Sequence, residues 1–384
     1  MIDLAPLSLL ERLVSFNTES DRSNLDLISF VEELLKQEGV AFSRLPNARG
    51  DKAALFATLG PAVDGGVVLS GHTDVVPVAG QSWTSDPFTL RVTEDRAYGR
   101  GAVDMKAFAA LVLSRLPAMK TATLTRPIHI LLSYDEETTC LGVIDAIRAM
   151  GQDLPRPGCV IVGEPTELQV ADAHKSVVMF DTTVHGFEAH SSKPALGANA
   201  ISGAAALVAE LDRISDLFRA RGDATGRFDP PYATVHVGTI EGGTARNIVP
   251  KLCRFVWEVR GVPGTDEREA LALLNAHAET VVLPRMRATG RPASVETIIG
   301  VDVPGLAPDP GSPAEQLALR LAGRNRTITV PYGTEAGQFQ RHGLPTVVCG
   351  PGSIDQAHQP DEYITLAEME HGGAFIDRLI ETCR

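Results

Sequence analysis

Residues 66–74 read GVVLSGHTD, and they give the clearest indication of the fold. The apolar run before the Ser-Gly pair predicts a buried strand. His72 and Asp74 follow it two positions apart, so in an extended chain their side chains point the same way. A buried imidazole beside a buried carboxylate is costly unless something compensates both. A metal ion bound by His72, with Asp74 orienting the ring, would do so; a structural histidine hydrogen-bonded to an acid is the simpler alternative.

Short apolar strands alternate with helices on both sides of this stretch. Residues 53–59, 127–133 and 158–165 have the composition of buried strands, and residues 25–38 and 105–116 have helical periodicity. This alternation predicts an α/β fold whose large catalytic domain contains a mostly parallel, helix-covered sheet.

The pattern changes near residue 174. From there to about residue 289, half-polar strands and two long helices follow in the order β-α-β-β-α-β. This order predicts an inserted α+β unit of the ferredoxin-like kind. Residues 1–173 and 290–384 are then expected to form the larger domain.

The composition argues against several classes of protein. The net charge is −13 and no basic stripe exists, so we expect no nucleic-acid partner. No run of eighteen apolar residues is present and the N-terminus lacks a basic region, so neither a membrane span nor a signal peptide is expected. The five cysteines are scattered without a CxxC pair, which argues against a disulfide framework and against a thiolate zinc site. A cytoplasmic location follows as the expectation.

Carboxylates and histidines stand after five of the predicted strands. The stretches are GHTD (71–74), GRGAVDMK (99–106), SYDEET (133–138), VGEPT (162–166) and QAHQPDE (356–362). Binding sites of open α/β sheets form beyond the carboxyl ends of the strands, so one crevice could collect all five. Mixed imidazole and carboxylate ligands favour zinc, with cobalt or manganese as substitutes.

Each of these residues also has an ordinary explanation when it is taken alone. Asp104 could cap the helix that follows its glycine-rich loop. Glu136 and Glu137 could lie in a solvated turn, while Glu164 could cap a loop and His358 could be an unremarkable loop residue. The metal hypothesis depends on their conjunction at successive strand ends.

Together these stretches resemble the M20 family of di-zinc peptidases and deacylases. The matching segments are GHTDVVPV, WTSDPF, YGRGAVDMK, DEE, GEPT and AHQPDE, and the resemblance extends from about residue 10 to the C-terminus. Residues 331–337, PYGTEAG, are most similar to family members that deacetylate acetylornithine. Gln359 replaces the lysine expected between histidine and proline; this leaves the metal ligands unaffected but the choice of substrate more open.

The resemblance implies a pair of zinc ions and a general base. The implied ligands of one zinc are His72, Asp104 and Glu164. The implied ligands of the other are Asp104, Glu137 and His358, so that Asp104 bridges. Asp74 corresponds to the acid that supports His72, and Glu136 to the general base.

The resemblance also implies that the inserted unit is a lid and dimerisation domain. His190 would reach a neighbouring subunit's site in a homodimer, and Asn247 would touch the substrate. Arg246 and Arg260 are candidate partners of a substrate carboxylate, with surface arginine as the alternative. Glu335 is a candidate for binding a substrate ammonium, unless it is only a carboxylate at a helix start.

The implied activity is zinc-dependent hydrolysis of the amide of a small N-acyl amino acid. The expected reaction converts N2-acetyl-L-ornithine to L-ornithine and acetate, a step of arginine biosynthesis. Desuccinylation of a diaminopimelate precursor, and hydrolysis of dipeptides or C-terminal residues, are the alternatives within the family. A non-catalytic protein that binds a metal or an amino acid is the alternative outside it, and loss of Glu136 or of a ligand would have favoured it.

Overall fold

Helices and strands alternate through the first part of the chain, as the hydrophobic pattern predicts. The computed structural model describes residues 2–384. The first helices are α1 (Pro6–Val14), α2 (Leu25–Glu38), α3 (Ala107–Ser114), α4 (Leu116–Thr121) and α5 (Ile144–Ala149). The strands among them are β1 (Phe42–Pro46), β2 (Ala53–Leu59), β3 (Val67–His72), β4 (Arg91–Val92), β5 (Arg96–Tyr98), β6 (Ile128–Ser133), β7 (Cys159–Pro165) and β8 (Ala171–His174).

The remaining elements follow in two groups. From residue 177 to 303 they are β9 (Val177–His185), β10 (Ala189–His190), α6 (Ala200–Arg221), β11 (Thr234–Gly242), β12 (Ile248–Val249), β13 (Leu252–Arg260), α7 (Glu267–His277), α8 (Leu283–Arg287) and β14 (Ser294–Val303). The last group is α9 (Pro313–Ala322), β15 (Ile328–Val330), α10 (Ala336–Arg341), β16 (Thr346–Gly350), β17 (Tyr363–Thr365) and α11 (Leu366–Cys383).

A sheet of eight strands lies at the centre of the first unit, with the order β1-β2-β6-β3-β7-β16-β8-β15. β3 pairs in parallel with β6 and β7, and β16 pairs in parallel with β7, so the four central strands share one direction. Every residue of β3 and β6 is buried, as expected where helices cover both faces of a parallel sheet. The predicted α/β class with a mostly parallel central sheet is confirmed.

The second unit comprises His174–Gly305 and Val330–Gly333. Its antiparallel sheet has the order β11-β13-β9-β14, which is the ferredoxin-like arrangement of a β-α-β-β-α-β unit. Alternate residues of β9 and β13 are buried, and they pack with α6 and α7 in one hydrophobic cluster. Because β14 pairs with β9, this unit extends past residue 289. Its action as a lid or dimerisation domain stays a prediction.

The helix expected over residues 105–116 is divided in the structure. α3 ends at Ser114 and α4 begins at Leu116, with Pro117 near its start. Proline lacks the N–H that a continuous helix would need there, so the break is expected. Before α3, Asp104 has extended dihedral angles (φ −117°, ψ 92°) within the turn Ala102–Lys106, so it does not continue the helix. Within residues 2–384, no helix has both the length and the apolar character needed to cross a bilayer.

Candidate metal centre

His72 is the last residue of β3 and is 1% exposed. Its Nδ1 lies 2.9 Å from the main-chain O of Asp74. Since a carbonyl oxygen only accepts, Nδ1 carries a proton and donates it. Nε2 faces two carboxylate oxygens, Asp104 Oδ1 at 3.0 Å and Glu164 Oε1 at 3.4 Å. In the neutral ring this nitrogen has a free lone pair, which suits it to bind a cation.

Asp104 lies between two histidines. Its Oδ1 is 3.0 Å from His72 Nε2, and its Oδ2 is 3.2 Å from His358 Nε2. The alternative of a helix cap is not realised, because α3 begins at Ala107 without a side-chain cap. The two oxygens of one carboxylate therefore face two different imidazoles, which is the arrangement a bridging ligand requires.

Glu164 supplies the most direct indication that a cation belongs here. The residue lies in β7 and is 3% exposed. Its Oε1 is buried, and no described residue forms a hydrogen bond with it. His72 Nε2 lies 3.4 Å from it, and a buried carboxylate oxygen that accepts no hydrogen bond is unfavourable. A cation held between Glu164 and His72 would compensate it.

His358 completes the other side of the cluster. Its Nε2 lies 3.0 Å from Glu137 Oε2 as well as 3.2 Å from Asp104 Oδ2. Two sets of three donor atoms lie within 4.8 Å of one another: His72, Glu136 and Glu164, and His72, Asp104 and Glu137. Both sets use His72; they include Glu136, which is not a predicted ligand, and they leave out His358. The cluster is therefore a candidate metal-binding site, and its imidazole and carboxylate donors fit zinc.

The carboxylate of Asp74 contacts the glutamate loop more closely than it contacts His72. Its Oδ1 is 3.5 Å from His72 Nδ1. The same oxygen accepts the N–H of Glu136 at 3.1 Å, and Oδ2 accepts the N–H of Glu137 at 3.3 Å. Oδ2 also accepts from Ser20 Oγ at 2.8 Å. Asp74 thus orients His72 mainly through its main chain and fixes Glu136 and Glu137 through its side chain.

Two further side chains at this loop were not singled out by the sequence analysis. Lys52 is 5% exposed, donates to the main-chain O of Ser20 at 2.5 Å and forms an ion pair with Asp135. The Sγ of Cys140 lies 3.4 Å from Glu136 Oε1. Neither belongs to a motif, because the lysine is 83 positions from its partner and the cysteine is one of five isolated thiols.

Burial and crowding of charge shift the pKa values of the cluster. Burial, followed by the charge of Asp104, raises the pKa of Glu137 to about 7 and that of Glu164 to about 8. Burial and then the charge of Glu164 raise the pKa of Glu136 well above its ordinary value. Hydrogen bonds to Asp104 and Glu137 raise the pKa of His358 to about 11. Burial and crowding of like charge thus disfavour the charged forms of these glutamates, which a divalent cation beside them would favour.

Glu335 lies in the interior of the first unit and is 1% exposed. Its Oε1 accepts from Ser70 Oγ at 2.5 Å, and its Oε2 accepts from Ser133 Oγ at 2.7 Å. Ser70 and Ser133 belong to the neighbouring strands β3 and β6. Contact of Glu335 with a substrate ammonium stays a prediction, while its two seryl partners are a structural finding.

The other predicted substrate residues lie in the second unit. His190, in β10, accepts from Ser192 Oγ at 2.8 Å through Nδ1 if the hydroxyl donates, and Asn247 precedes β12. Arg246 is exposed and lines a cavity of about 320 Å³ within this unit. Arg260 Nε donates to Glu258 Oε1 at 2.8 Å, so its guanidinium already has an acidic partner. Their roles in substrate binding stay predictions.

The α/β sheet with its inserted α+β unit, and the histidine–carboxylate cluster at the strand ends, define the class as a metal-dependent hydrolase. Residues 68–382 match the model of Peptidase family M20/M25/M40, and the chain belongs to this family. The resemblance seen in the sequence is thereby confirmed.

Individual relatives agree with this assignment. The chain is 36% identical over 367 residues to the acetylornithine deacetylase of Proteus mirabilis (strain HI4320), covering 95% of this chain and 92% of that protein. A metallo-carboxypeptidase of family M20 from Sulfolobus solfataricus has a TM-score of 0.76 at 19% identity and covers 98% of both chains. The Bacillus subtilis YXEP protein, a dinuclear metal binding peptidase, has a TM-score of 0.65 at 16% identity and covers 98% of this chain and 97% of its own.

Proposed function

We propose that this protein is a zinc-dependent deacylase of N-acyl amino acids, with N2-acetyl-L-ornithine as its substrate. The observation that supports a metal-dependent reaction most strongly is the buried Oε1 of Glu164, which accepts no hydrogen bond and lies 3.4 Å from His72 Nε2. The relative from Proteus mirabilis, an acetylornithine deacetylase, supports the choice of substrate.

Two divalent cations fit the donor atoms of the cluster. One would be held by His72, Asp104 and Glu164, and the other by Asp104, Glu137 and His358. When bound, such a pair supplies an activated water at neutral pH and polarises the carbonyl of the amide. Zinc is the expected metal, with cobalt or manganese as substitutes.

We expect Glu136 to move the proton. It is partly buried, and it is held by the bond from its N–H to Asp74 and by the thiol of Cys140. Its carboxylate would take a proton from water as the amide carbonyl is attacked, and would give it to the departing amine. Its neighbour Glu137 faces His358 instead, so the two adjacent glutamates can serve different functions.

The second unit would supply the remaining contacts with substrate. We expect His190 to stabilise the developing oxyanion and Asn247 to touch the substrate, with Arg246 or Arg260 at its carboxylate. A homodimer formed through this unit, a cytoplasmic location and a place in arginine biosynthesis are part of the same proposal.

A substrate panel tests the reaction. The metal-free protein, prepared with a chelator, should be inactive and should regain activity with zinc or cobalt. N-acetylornithine should then be hydrolysed faster than N-succinyl-diaminopimelate or simple dipeptides. Faster hydrolysis of a dipeptide would favour a peptidase, and hydrolysis of none of them would favour a binding protein.

A matched pair of variants tests the division of labour between the two glutamates. Glu136→Gln keeps the shape but removes the base, so kcat should fall by a factor of about 10²–10⁴ while both metal ions stay bound. Glu137→Gln should lower the metal content measured on the purified protein, since it weakens a ligand. Near-normal turnover of Glu136→Gln would refute the role of Glu136 as general base. Loss of metal from this variant would indicate that Glu136 is a metal ligand instead.

A further inference from the structure

Glu362 accepts hydrogen bonds from the backbone of the loop that carries Asp104, although it is not one of the proposed metal ligands. It is 1% exposed. Its Oε1 accepts the N–H groups of Val103 at 2.9 Å and Asp104 at 3.1 Å. Its Oε2 accepts the N–H of Gly101 at 3.0 Å and Arg100 Nη1 at 2.7 Å. One buried carboxylate therefore accepts three backbone N–H groups, those of Gly101, Val103 and Asp104, in the turn that presents Asp104.

The partner of Glu362 extends the contact to the loop of His358. Arg100 is also 1% exposed, and its Nη2 donates to Gln81 Oε1 at 2.5 Å. Gln81 Nε2 in turn donates to the main-chain O of His358 at 2.8 Å. Arg100 Nη1 lies 3.4 Å from the main-chain O of Gln359 as well. The chain of contacts runs from the Asp104 backbone to the His358 backbone without passing through either side chain.

We propose that Arg100, Glu362 and Gln81, here called the Arg100 brace, are positioning residues that set the affinity of the cation site formed by Asp104, Glu137 and His358. This inference rests on the proposed function, because it presupposes two bound cations. The brace touches no substrate and no reacting atom, and it acts only through the two loops that it joins.

The brace should act on one cation site more than on the other. His72 and Glu164 lie on β3 and β7, and their positions are set by the central parallel strands. His358 has a positive φ of 62° in a loop, and its side chain is 53% exposed. A histidine in such a loop depends on loop contacts for its placement, whereas one at the end of a buried strand does not.

The test measures cation binding rather than turnover. Apoprotein is titrated with Co²⁺ by calorimetry, and the visible absorption of bound Co²⁺ is recorded in parallel. Gln81→Leu removes the acceptor of Arg100 and the donor to His358 while keeping a side chain of similar size. Gln359→Leu is the matched control, since that side chain is exposed and donates only to the main-chain O of Asp355.

The wild type should bind two Co²⁺ ions. In Gln81→Leu one of the two sites should lose about tenfold or more in affinity, the size typical of groups that orient metal ligands, with an altered absorption band. The other site should stay within twofold, and Gln359→Leu should match the wild type at both. Glu362→Gln should weaken both sites, because an amide cannot accept all four hydrogen bonds and Asp104, whose backbone Glu362 holds, belongs to both ligand sets.

Two results would overturn the inference. If Gln81→Leu binds both ions with wild-type affinity, the brace has no effect on the site. If both sites weaken equally, the substitution has loosened the unit as a whole. If the wild type itself fails to bind two ions, the proposed function is contradicted. This outcome is distinguished from failure of the brace because it is observed in the wild type alone, without any variant.

Discussion

Replacement of Glu335 by leucine separates a structural role from a substrate role. Leucine has a similar size but accepts no hydrogen bond, so the hydroxyls of Ser70 and Ser133 would lose their acceptor. Both serines are 0% exposed, so water cannot take its place. A buried donor left unsatisfied costs roughly 1–3 kcal/mol, which gives a loss of about 2–6 kcal/mol in the free energy of unfolding.

The loss should depend on the two hydroxyls. In a Ser70→Ala, Ser133→Ala background the same Glu335→Leu substitution leaves no donor unsatisfied, so its cost should fall by at least about 1 kcal/mol. Urea denaturation of the metal-free proteins, followed by far-UV circular dichroism, measures all four members of this cycle. Additive effects within about 0.5 kcal/mol would refute the reasoning.

The same position also tests the predicted ammonium contact. Glu335→Gln keeps the size and removes the charge. If Glu335 binds the substrate ammonium, the ratio of kcat/KM for N-acetylornithine to that for N-acetylnorvaline, whose side chain is uncharged, should fall about tenfold or more. If the carboxylate acts only through Ser70 and Ser133, both values should change together and the ratio should persist. An unchanged ratio would remove the substrate role.

Two further substitutions test the surroundings of the site. Lys52→Met should lower kcat by roughly tenfold or more, because Asp135, which precedes the proposed base, loses its ion pair. Lys120→Met, which removes an ion pair on the surface, is the control and should leave kcat unchanged. Equal kcat values for the two variants would contradict this prediction. Burial lowers the pKa of His174 to about 4 from 6.5, so the unfolded chain binds a proton that the folded chain excludes as the pH falls below 6.5. The free energy of unfolding of His174→Asn should therefore fall about 2 kcal/mol less between pH 7 and pH 5 than that of the wild type, and an equal fall in urea titrations would contradict the assignment.

The strands of the first unit could be predicted because their hydrophobic runs are continuous. β2 has the bounds expected from AALFATL, while β3 ends at His72 and β7 at Pro165, so both strands include the first polar residues of their motifs. Since the ends of parallel strands meet at one edge, the approach of His72 to Glu164 could also be expected from the sequence. The alternation of side chains along a strand predicts which way each one points, and this prediction requires no knowledge of tertiary contacts.

The supporting contacts could not be predicted in this way. Lys52 meets Asp135 across 83 positions, and Ser70 meets Glu335 across 265. No local pattern distinguishes such a lysine or serine from an ordinary one. The bonds that Asp74 accepts from Glu136 and Glu137 could not be predicted for a related reason. Alternation along a strand gives the direction of a side chain, but not the loop N–H groups that it meets after the strand ends.

The two sides of the metal cluster are positioned by different kinds of structure. His72 and Glu164 lie at the ends of the paired parallel strands β3 and β7, so the sheet brings them together. Asp104, Glu137 and His358 lie in turns and loops, and His358 has a φ of 62°. Burial and then the charge of Asp104 raise the pKa of Glu164 to about 8, so a cation that binds beside Glu164 must favour its charged form over the protonated one. The strand ends thus fix one histidine–carboxylate pair before a cation binds, whereas the placement of His358 depends on the contacts of its loop.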